Sequence, residues 1–141
     1  MASRRKVIQE IIHNFQVIKH KIYTHLVGES TNGITRSQGL VLDIIHRYPE
    51  ISIKDIAKIL GISSSAATQL VHGLVRHKYV VRIVNKKDRR GLNIILSKKG
   101  KQEIVSMKRE RLVMAETFFE GLSKKELEQY LKFQAKILSR M

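Results

Sequence analysis

Apolar residues recur at spacings of three and four along the first part of the chain, and this period predicts a long helix over residues 4–27. The repeating positions are Ile8, Ile11, Phe15, Ile18, Ile22 and Leu26. The sequence GESTNG at residues 28–33 then interrupts the pattern with two glycines and small polar side chains. We therefore expect a linker between this first helix and the part of the chain that follows.

The next two predicted helices begin at capping residues. Thr35 is followed three positions later by Gln38, which is the arrangement of a capping box. The helix after it is predicted to end at Pro49 and to bury Leu40, Val41, Ile44, Ile45 and Tyr48. A second capping box at residues 52–55 predicts a short helix with a core side formed by Ile53, Ile56, Ala57 and Leu60.

A further helix is predicted at residues 64–78. Gly61 suits the left-handed turn that ends the preceding helix, and Ser63 suits the N-cap of the new one. Two helices joined by so short a glycine-containing turn are typical of a helix-turn-helix motif.

The period of the pattern then changes from helical to alternating. The runs VVRIV and LNIIL at residues 80–84 and 92–96 are short and rich in β-branched residues, which predicts a β-hairpin. Ser97 is predicted to cap a long final helical region that is broken at EGLS, residues 120–123. Ser123 and Glu126 cap the last helix, and its apolar stripe comprises Leu127, Tyr130, Leu131, Ile137 and Leu138.

The helix predicted at 64–78 has two different sides. Ala67, Leu70, Val71 and Leu74 recur at core spacing. The other side carries hydroxyl, amide, imidazole and guanidinium groups and no carboxylate, from Ser65, Thr68, Gln69, His72 and Arg76. Ser63, Ser64 and Ser65 keep the first turn small, which lets a helix N-terminus approach a phosphate. An ordinary amphipathic surface helix would show the same two sides.

Composition bounds the class of partner. The chain has 141 residues, which suits a single domain over residues 1–141, and it has no cysteine, so disulfides and thiolate metal sites are excluded. The formal net charge is +15, which points to a polyanion: DNA, RNA or an anionic membrane surface. A generally lysine-rich composition is the alternative. Against it, cations far outnumber acids in residues 80–111, whereas residues 112–141 are nearly balanced.

The loop NKKDRRGLN, which begins at Asn85, is either a solvated hairpin tip or a charged finger that touches phosphate. Helix, turn, helix and basic hairpin together predict a winged helix-turn-helix, with the second helix in the major groove of DNA and the loop at the minor groove. The cations of the loop are Lys86, Lys87, Arg89 and Arg90. Asp88 is expected to pair with Arg90 and hold the loop's shape, and Gly91 gives the backbone freedom to return into the strand.

At these residues the chain resembles the multiple-antibiotic-resistance regulator (MarR) family of transcription factors. The motif positions are Asp88, Arg90, Leu96, Ser97 and Gly100, which follow a serine-rich helix. The resemblance implies that Ser63, Ser65, Thr68 and Gln69 face DNA and that Arg90 contacts it from the loop. Two residues depart from the family pattern: Gln69 stands where many relatives have Arg, and Lys78 stands where relatives usually have the Gly that ends the helix.

The resemblance also implies an assembly. Residues 34–96 would form the DNA-binding part, and residues 4–27 and 97–141 would form a homodimer that reads a pseudo-palindromic operator, as a repressor. The apolar residues that a small winged domain cannot cover are Phe15, Ile18, Ile22, Phe118, Phe119, Leu122, Leu127, Leu131 and Ile137. Relatives often bind small aromatic acids that weaken DNA affinity, and His20, Tyr23 and Tyr48 could line such a cleft, although aromatic residues at helical spacing are more often core.

The sequence lacks the motifs of metal sites, enzymes and secreted or membrane proteins. We expect no metal, because His13, His20 and His25 do not converge on one helix face, and no other cofactor. The sequence contains no glycine-rich phosphate loop, no nucleophile elbow and no pair of carboxylates on one helix face in a plausible pocket, so we do not expect an enzyme. With no signal-peptide pattern and no long apolar run, we expect a soluble cytoplasmic protein. A sequence-indifferent architectural DNA- or RNA-binding protein remains the alternative to a specific regulator.

Overall fold

In the computed structural model, residues 1–26, 31–87 and 91–141 are described, and they form six α-helices and three short strands. The elements in chain order are α1 (Arg4–Leu26), α2 (Arg36–Arg47), β1 (Ile51–Ser52), α3 (Ile53–Leu60), α4 (Ser64–Arg76), β2 (Val80–Val84), β3 (Leu92–Leu96), α5 (Lys98–Phe119) and α6 (Lys124–Leu138). The mainly helical class with a small β-hairpin is confirmed. None of the described helices is both long and apolar enough to cross a membrane.

The core lies where α2, α3 and α4 pack with one another and with the sheet. Its largest fully buried side chains are Leu42, Ile45, Ile56, Leu74, Ile94, Val41, Val71 and Val80. All three helices and both long strands contribute to this set. Each fully buried aliphatic side chain contributes roughly 1.5–3 kcal/mol relative to an exposed one, so these residues hold the helix-turn-helix against the sheet.

The buried stripe of α2 differs from the predicted one. Leu40 and Tyr48 were expected in the core but are 47% and 52% exposed, whereas Leu42 is fully buried. The reason is that α2 packs against α4 and β3 and also touches α3, so its buried side is wide and includes the adjacent residues Val41 and Leu42. Helical spacing of apolar residues predicts a single buried stripe, so it does not predict the wider buried side of a helix that contacts more than one element.

The sheet has one more strand than the predicted hairpin. The hairpin itself pairs β2 with β3 in antiparallel register, from Val80 opposite Leu96 to Val84 opposite Leu92. The two-residue strand β1 adds to the other edge of β3, with Ile51 opposite Ile94, which gives the order β1-β3-β2. A strand of two residues is too short to produce an alternating pattern, so only its pairing with Ile94 and Asn93 of β3 reveals it.

The helix caps in the structure are close to those predicted from the sequence. Thr35 and Gln38 form the full capping box that was predicted, and so do Ser123 and Glu126. The hydrogen bonds from the backbone N–H and the hydroxyl of Ser123 hold the pKa of Glu126 below its usual range. Ser52 caps α3 by accepting from the Asp55 N–H, but its hydroxyl donates to the Asp55 carboxylate at 2.8 Å instead of completing the reciprocal box.

Helices α3 and α4 end by the same pattern of backbone hydrogen bonds. After α3, Ile62 N–H donates to Ala57 O and Gly61, at φ 65°, takes the left-handed position. After α4, Tyr79 N–H donates to Leu74 O at 2.9 Å and Lys78, at φ 64°, takes the same position. The helix predicted over 64–78 therefore ends at Arg76, two residues early, because Lys78 adopts a backbone conformation that no helix contains.

The chain divides into two compact units, residues 1–100 and 101–141. In the first, α1 leaves large apolar side chains in solvent, including Phe15 at 66% exposure. In the second, α6 does the same, including Leu131 at 64% exposure, while Phe119 and Tyr130 pack with ring centroids 6.1 Å apart. Where exposed apolar side chains form a contiguous patch, the patch usually marks an interaction site.

Lys78→Gly should raise the free energy of unfolding. A left-handed conformation costs a side-chain-bearing residue about 1 kcal/mol relative to glycine, part of which is offset by the greater freedom of glycine in the unfolded chain. We expect a gain of up to about 1 kcal/mol in urea unfolding. The matched control is Gly61→Ala, which places a side chain in the equivalent turn and should lower stability; equal stability of Lys78→Gly and wild type would contradict the strain.

Candidate nucleic-acid interface

Helix α4 presents one polar side to solvent because its other side is held in the core. Ala67 and Val71 are fully buried and Leu74 nearly so. We call the exposed side the polar face of α4, and it consists of Ser65, Thr68, Gln69, His72 and Arg76, all of them exposed. The structure thus brings these predicted site residues together on one side of one helix, as the spacing predicted.

The N-terminus of α4 combines a tight cap with small exposed side chains. The hydroxyl oxygen of Ser63 accepts from the Ala66 N–H at 3.1 Å. Ser64 and Ser65 in the first turn are exposed, and no acidic residue lies there. The positive end of the helix dipole is therefore neither blocked by bulk nor neutralised by a carboxylate, which suits the approach of an anionic group.

Hydrogen bonds within α4 set what its polar face can offer. Thr68 donates its hydroxyl proton to Ser64 O at 2.8 Å, so its remaining capacity is that of an acceptor. Gln69 carries an amide with both donor and acceptor groups, which can pair bidentately with adenine. Arg76 is purely a donor and lies in the last turn. The polar face of α4 therefore carries hydrogen-bond donors and acceptors that suit base edges, and a cation that suits phosphate.

The loop between β2 and β3, residues 85–91, is here called the wing, and its base is ordered by backbone contacts. Asn85 N–H donates to Gly91 O at 2.9 Å, which extends the hairpin by one pair. The Asn85 side chain then accepts from Lys87 N–H at 2.9 Å and turns the chain. Lys86 and Lys87 are exposed beyond this turn. Asp88, Arg89 and Arg90 lie outside the described residues, so the predicted pairing of Asp88 with Arg90 stays a prediction.

The motif positions Ser97 and Gly100 have a clear structural role. Ser97 Oγ accepts from Gly100 N–H at 3.0 Å, so Ser97 caps α5 as predicted. The same hydroxyl donates to Lys78 O at 2.6 Å and lies 2.9 Å from Tyr79 O. A side chain at Gly100 would collide with Tyr79 O, so only glycine permits this close approach. These two residues fix the start of α5 against the end of α4.

Of the residues proposed to line a ligand cleft, His20 and Tyr23 lie about one turn apart on α1, and Tyr48 lies at the end of α2. The Arg36 guanidinium lies 3.4 Å from the centroid of the Tyr23 ring, so one face of that ring is covered by a cation. Tyr48 follows the last residue of α2, and its N–H donates to Ile44 O at 2.9 Å. His20 is exposed on α1. A role for these three in binding an effector stays a prediction.

Signals for some of these features were present in the sequence. An Asn at the first position of a polar loop commonly folds its side chain onto the backbone two residues later, as Asn85 does. The stacking of Arg36 on Tyr23 has no such signal, because the residues belong to different helices. Within the described ranges, no group of three or more His, Asp or Glu side chains is placed to hold a metal ion.

A helix-turn-helix with a polar second helix, followed by a hairpin with a cationic tip, defines a winged helix-turn-helix DNA-binding protein. Comparison with known proteins agrees. A model of the MarR family matches residues 32–91. The HTH-type transcriptional regulator YwhA of Bacillus subtilis is 32% identical over 104 residues, which cover 74% of this chain and 75% of YwhA.

Two further relatives extend the comparison. The HTH-type transcriptional repressor MdtR of Bacillus subtilis is 22% identical over 138 residues, which cover 97% of this chain and 89% of MdtR. The S. aureus MepR–DNA complex has a TM-score of 0.62 at 27% identity, covering 91% of this chain and 95% of MepR. The chain belongs to the MarR family, so it is a DNA-binding transcriptional regulator, and the expectation that it is not an enzyme is confirmed.

Gln69→Ala should relax base preference at one position of the bound DNA. Loss of a bidentate contact to a base costs roughly 1–3 kcal/mol against the preferred base and little against the others. The measurement is a set of dissociation constants for duplexes that vary at single positions. Gln102→Ala, which removes the same amide from an exposed position of α5, is the comparison variant for general loss of polarity. Equal weakening by Gln69→Ala on every duplex would rule out direct readout.

Proposed function

We propose that this protein binds a specific double-stranded DNA operator with α4 in the major groove. The observation that carries the proposal is the carboxylate-free polar face of α4, exposed along the whole helix while Ala67 and Val71 are fully buried. Side chains of this kind match the donor and acceptor pattern that base pairs display in the major groove. Ser63, Ser65, Thr68 and Gln69 carry the contacts, and Ser64, His72 and Arg76 flank them.

The wing supplies a second, sequence-independent contact. Lys86 and Lys87 are exposed at its described base, and Arg89 and Arg90 follow them in the sequence. In this proposal α4 is the recognition helix, and cations on the hairpin tip reach the minor groove next to it. The negative potential of a minor groove is strongest where that groove is narrow. In this proposal Arg90 makes the principal contact, and Asp88 and Gly91 shape the loop.

The functional unit is a homodimer. Its support is the apolar surface that α1 and α6 leave in solvent, which a second copy of the chain would cover. A two-fold dimer reads a pseudo-palindrome, with half-sites centred about 34–36 Å apart or a multiple of that distance. In this arrangement residues 34–96 bind DNA, and residues 4–27 and 97–141 hold the dimer.

Repression is the sign of regulation in this proposal, and two relatives support it. MdtR is named as a repressor, and MepR forms a complex with DNA. A repressor that occupies its operator as a dimer blocks transcription by excluding the polymerase. Release by a small aromatic effector, with His20, Tyr23 and Tyr48 as lining residues, belongs to the same proposal through the family resemblance.

Selection of bound sequences from a random DNA pool tests operator recognition. We expect a pseudo-palindrome whose half-sites obey the spacing above. Competition with random duplex then separates specific recognition from a sequence-indifferent architectural role, because the latter predicts equal affinity for selected and random DNA. Failure to enrich any sequence would refute specific readout by the polar face of α4.

Affinity should fall steeply as salt concentration rises, because each phosphate contact releases a bound counterion. Arg90→Ala should weaken binding to all duplexes and reduce the slope of log affinity against log salt by about one. Lys132→Ala, which removes the same charge from α6, is the control and should leave the slope near that of wild type. A wild-type affinity that does not depend on salt would contradict phosphate binding altogether.

Leu131→Glu should dissociate the dimer and weaken DNA binding together. A carboxylate placed on the exposed apolar side of α6 would have to be buried when two copies associate, which costs several kcal/mol. Sedimentation across a range of protein concentrations reports the change in mass. Lys132→Glu, one residue away among the exposed polar positions, should remain dimeric. Wild-type protein that sediments as a monomer at every concentration would exclude the homodimer.

A further inference from the structure

The junction between α4 and β2 contains a buried tyrosine that reaches a distant part of the chain. Tyr79 follows the left-handed Lys78 and is only 4% exposed. Its hydroxyl donates to Asn32 O at 3.2 Å, across 47 residues of sequence. Asn32 lies just before α2, in the short turn Thr31–Gly33. The end of the recognition helix is therefore bonded to the segment through which the chain enters the DNA-binding part.

The ring of Tyr79 makes a second connection, to the first turn of α5. Lys99 Nζ lies 4.3 Å from the ring centroid, where the negative face of the ring attracts a cation. The same ammonium donates to His77 O at 2.9 Å, at the C-terminal end of α4 that the helix dipole makes negative. Lys99 therefore bridges the ring and the end of the recognition helix.

The backbone of Tyr79 makes the third connection. Its carbonyl oxygen accepts from Ser97 N–H at 3.0 Å and lies 2.9 Å from Ser97 Oγ. Together with the close approach of Gly100, these contacts lock the residue to the start of α5. The chain leaves the DNA-binding part at this point, so both its entry and its exit meet at Tyr79.

Packing alone does not account for a tyrosine here. A leucine would fill an apolar site of this kind, but it has neither a hydroxyl to reach Asn32 nor an aromatic face for Lys99. Both polar features of the side chain are used: the hydroxyl bonds to the segment where the chain enters the DNA-binding part, and the ring meets Lys99 where the chain leaves it. The Lys99 ammonium is likewise engaged by protein groups on two sides, at His77 O and the Tyr79 ring.

We propose that Tyr79, together with Lys99, is a positioning residue for DNA binding: it ties the C-terminal end of α4 to the entry and exit segments of the DNA-binding part and so fixes how the polar face of α4 is presented. This proposal rests on the proposed function. Tyr79 and Lys99 touch no DNA in this proposal, and the orientation of α4 depends on the hydroxyl and the ring face of Tyr79.

The experiment compares Tyr79→Phe, Lys99→Met and the double variant with wild type. Tyr79→Phe removes only the hydroxyl, and Lys99→Met keeps the apolar stem while removing the charge. Lys101→Met, at an exposed position of α5, is the matched control for Lys99→Met. The DNA is the duplex recovered from the random pool, measured at several salt concentrations with each variant shown to be folded. Hydrogen exchange of the free proteins is followed at residues 74–79 and 97–100.

We expect each single variant to bind about fivefold more weakly, the factor that one net hydrogen bond commonly contributes. The double variant should bind less weakly than the product of the two effects, because both act through one junction. The salt slope should equal that of wild type, since no phosphate contact is lost. Exchange should accelerate in both followed segments.

Three results would overturn the proposal. Folded Tyr79→Phe that binds as tightly as wild type would leave Tyr79 with a merely structural role. A slope reduced by about one in Lys99→Met would make Lys99 a phosphate contact. Full additivity in the double variant would mean independent actions. If wild type binds no duplex, the proposed function fails, and exchange alone decides: acceleration in both segments supports the junction, and unchanged exchange refutes it.

Discussion

Burial of one side of α4 is the constraint on which the rest of the structure depends. Ala67, Val71 and Leu74 pack among α2, α3 and β2, and this packing determines which side chains remain in solvent. Fully burying one such aliphatic side chain is worth roughly 1.5–3 kcal/mol, and a good base contact is worth a similar amount. Rotation of α4 to improve a single contact would expose several of them, so the core dictates which polar side chains α4 presents to solvent.

The chain can fold despite its large positive charge because ion pairs contribute little to its stability. The ion pair between Asp43 and Arg47 lies at the surface, where the Arg47 side chain is 66% exposed and the Asp43 side chain 14%, and surface pairs contribute about 0–1 kcal/mol. Burial, helix caps and the paired strands provide the stability, so the fold does not require the cations of α4 and the wing to be neutralised internally. A large positive charge then repels itself modestly in the free protein and becomes favourable beside a polyanion.

Local rules predicted what is locally determined. Thr35, Ser63 and Ser123 cap helices in the structure as their sequence positions indicated, because a cap needs only four residues. The polar face of α4 was predictable for the same reason. The burial of Leu42, the strand at Ile51 and the end of α4 at Arg76 were not, because each depends on a neighbour that is distant in sequence. Likewise, nothing local to Tyr79 indicates that it meets Asn32.

The end of α4 shows local preference yielding to tertiary structure. A lysine at φ 64° is disfavoured by about 1 kcal/mol, and Gly61 shows that this chain uses glycine in the same turn elsewhere. The conformation of Lys78 persists because the hydroxyl of Ser97 holds its carbonyl, while Lys99 and Asn32 hold its neighbours on either side. Several contacts therefore determine one backbone angle. A residue held in this way moves only if its partners move. The path of the chain after α4 is therefore a consequence of where α5 and the segment before α2 begin.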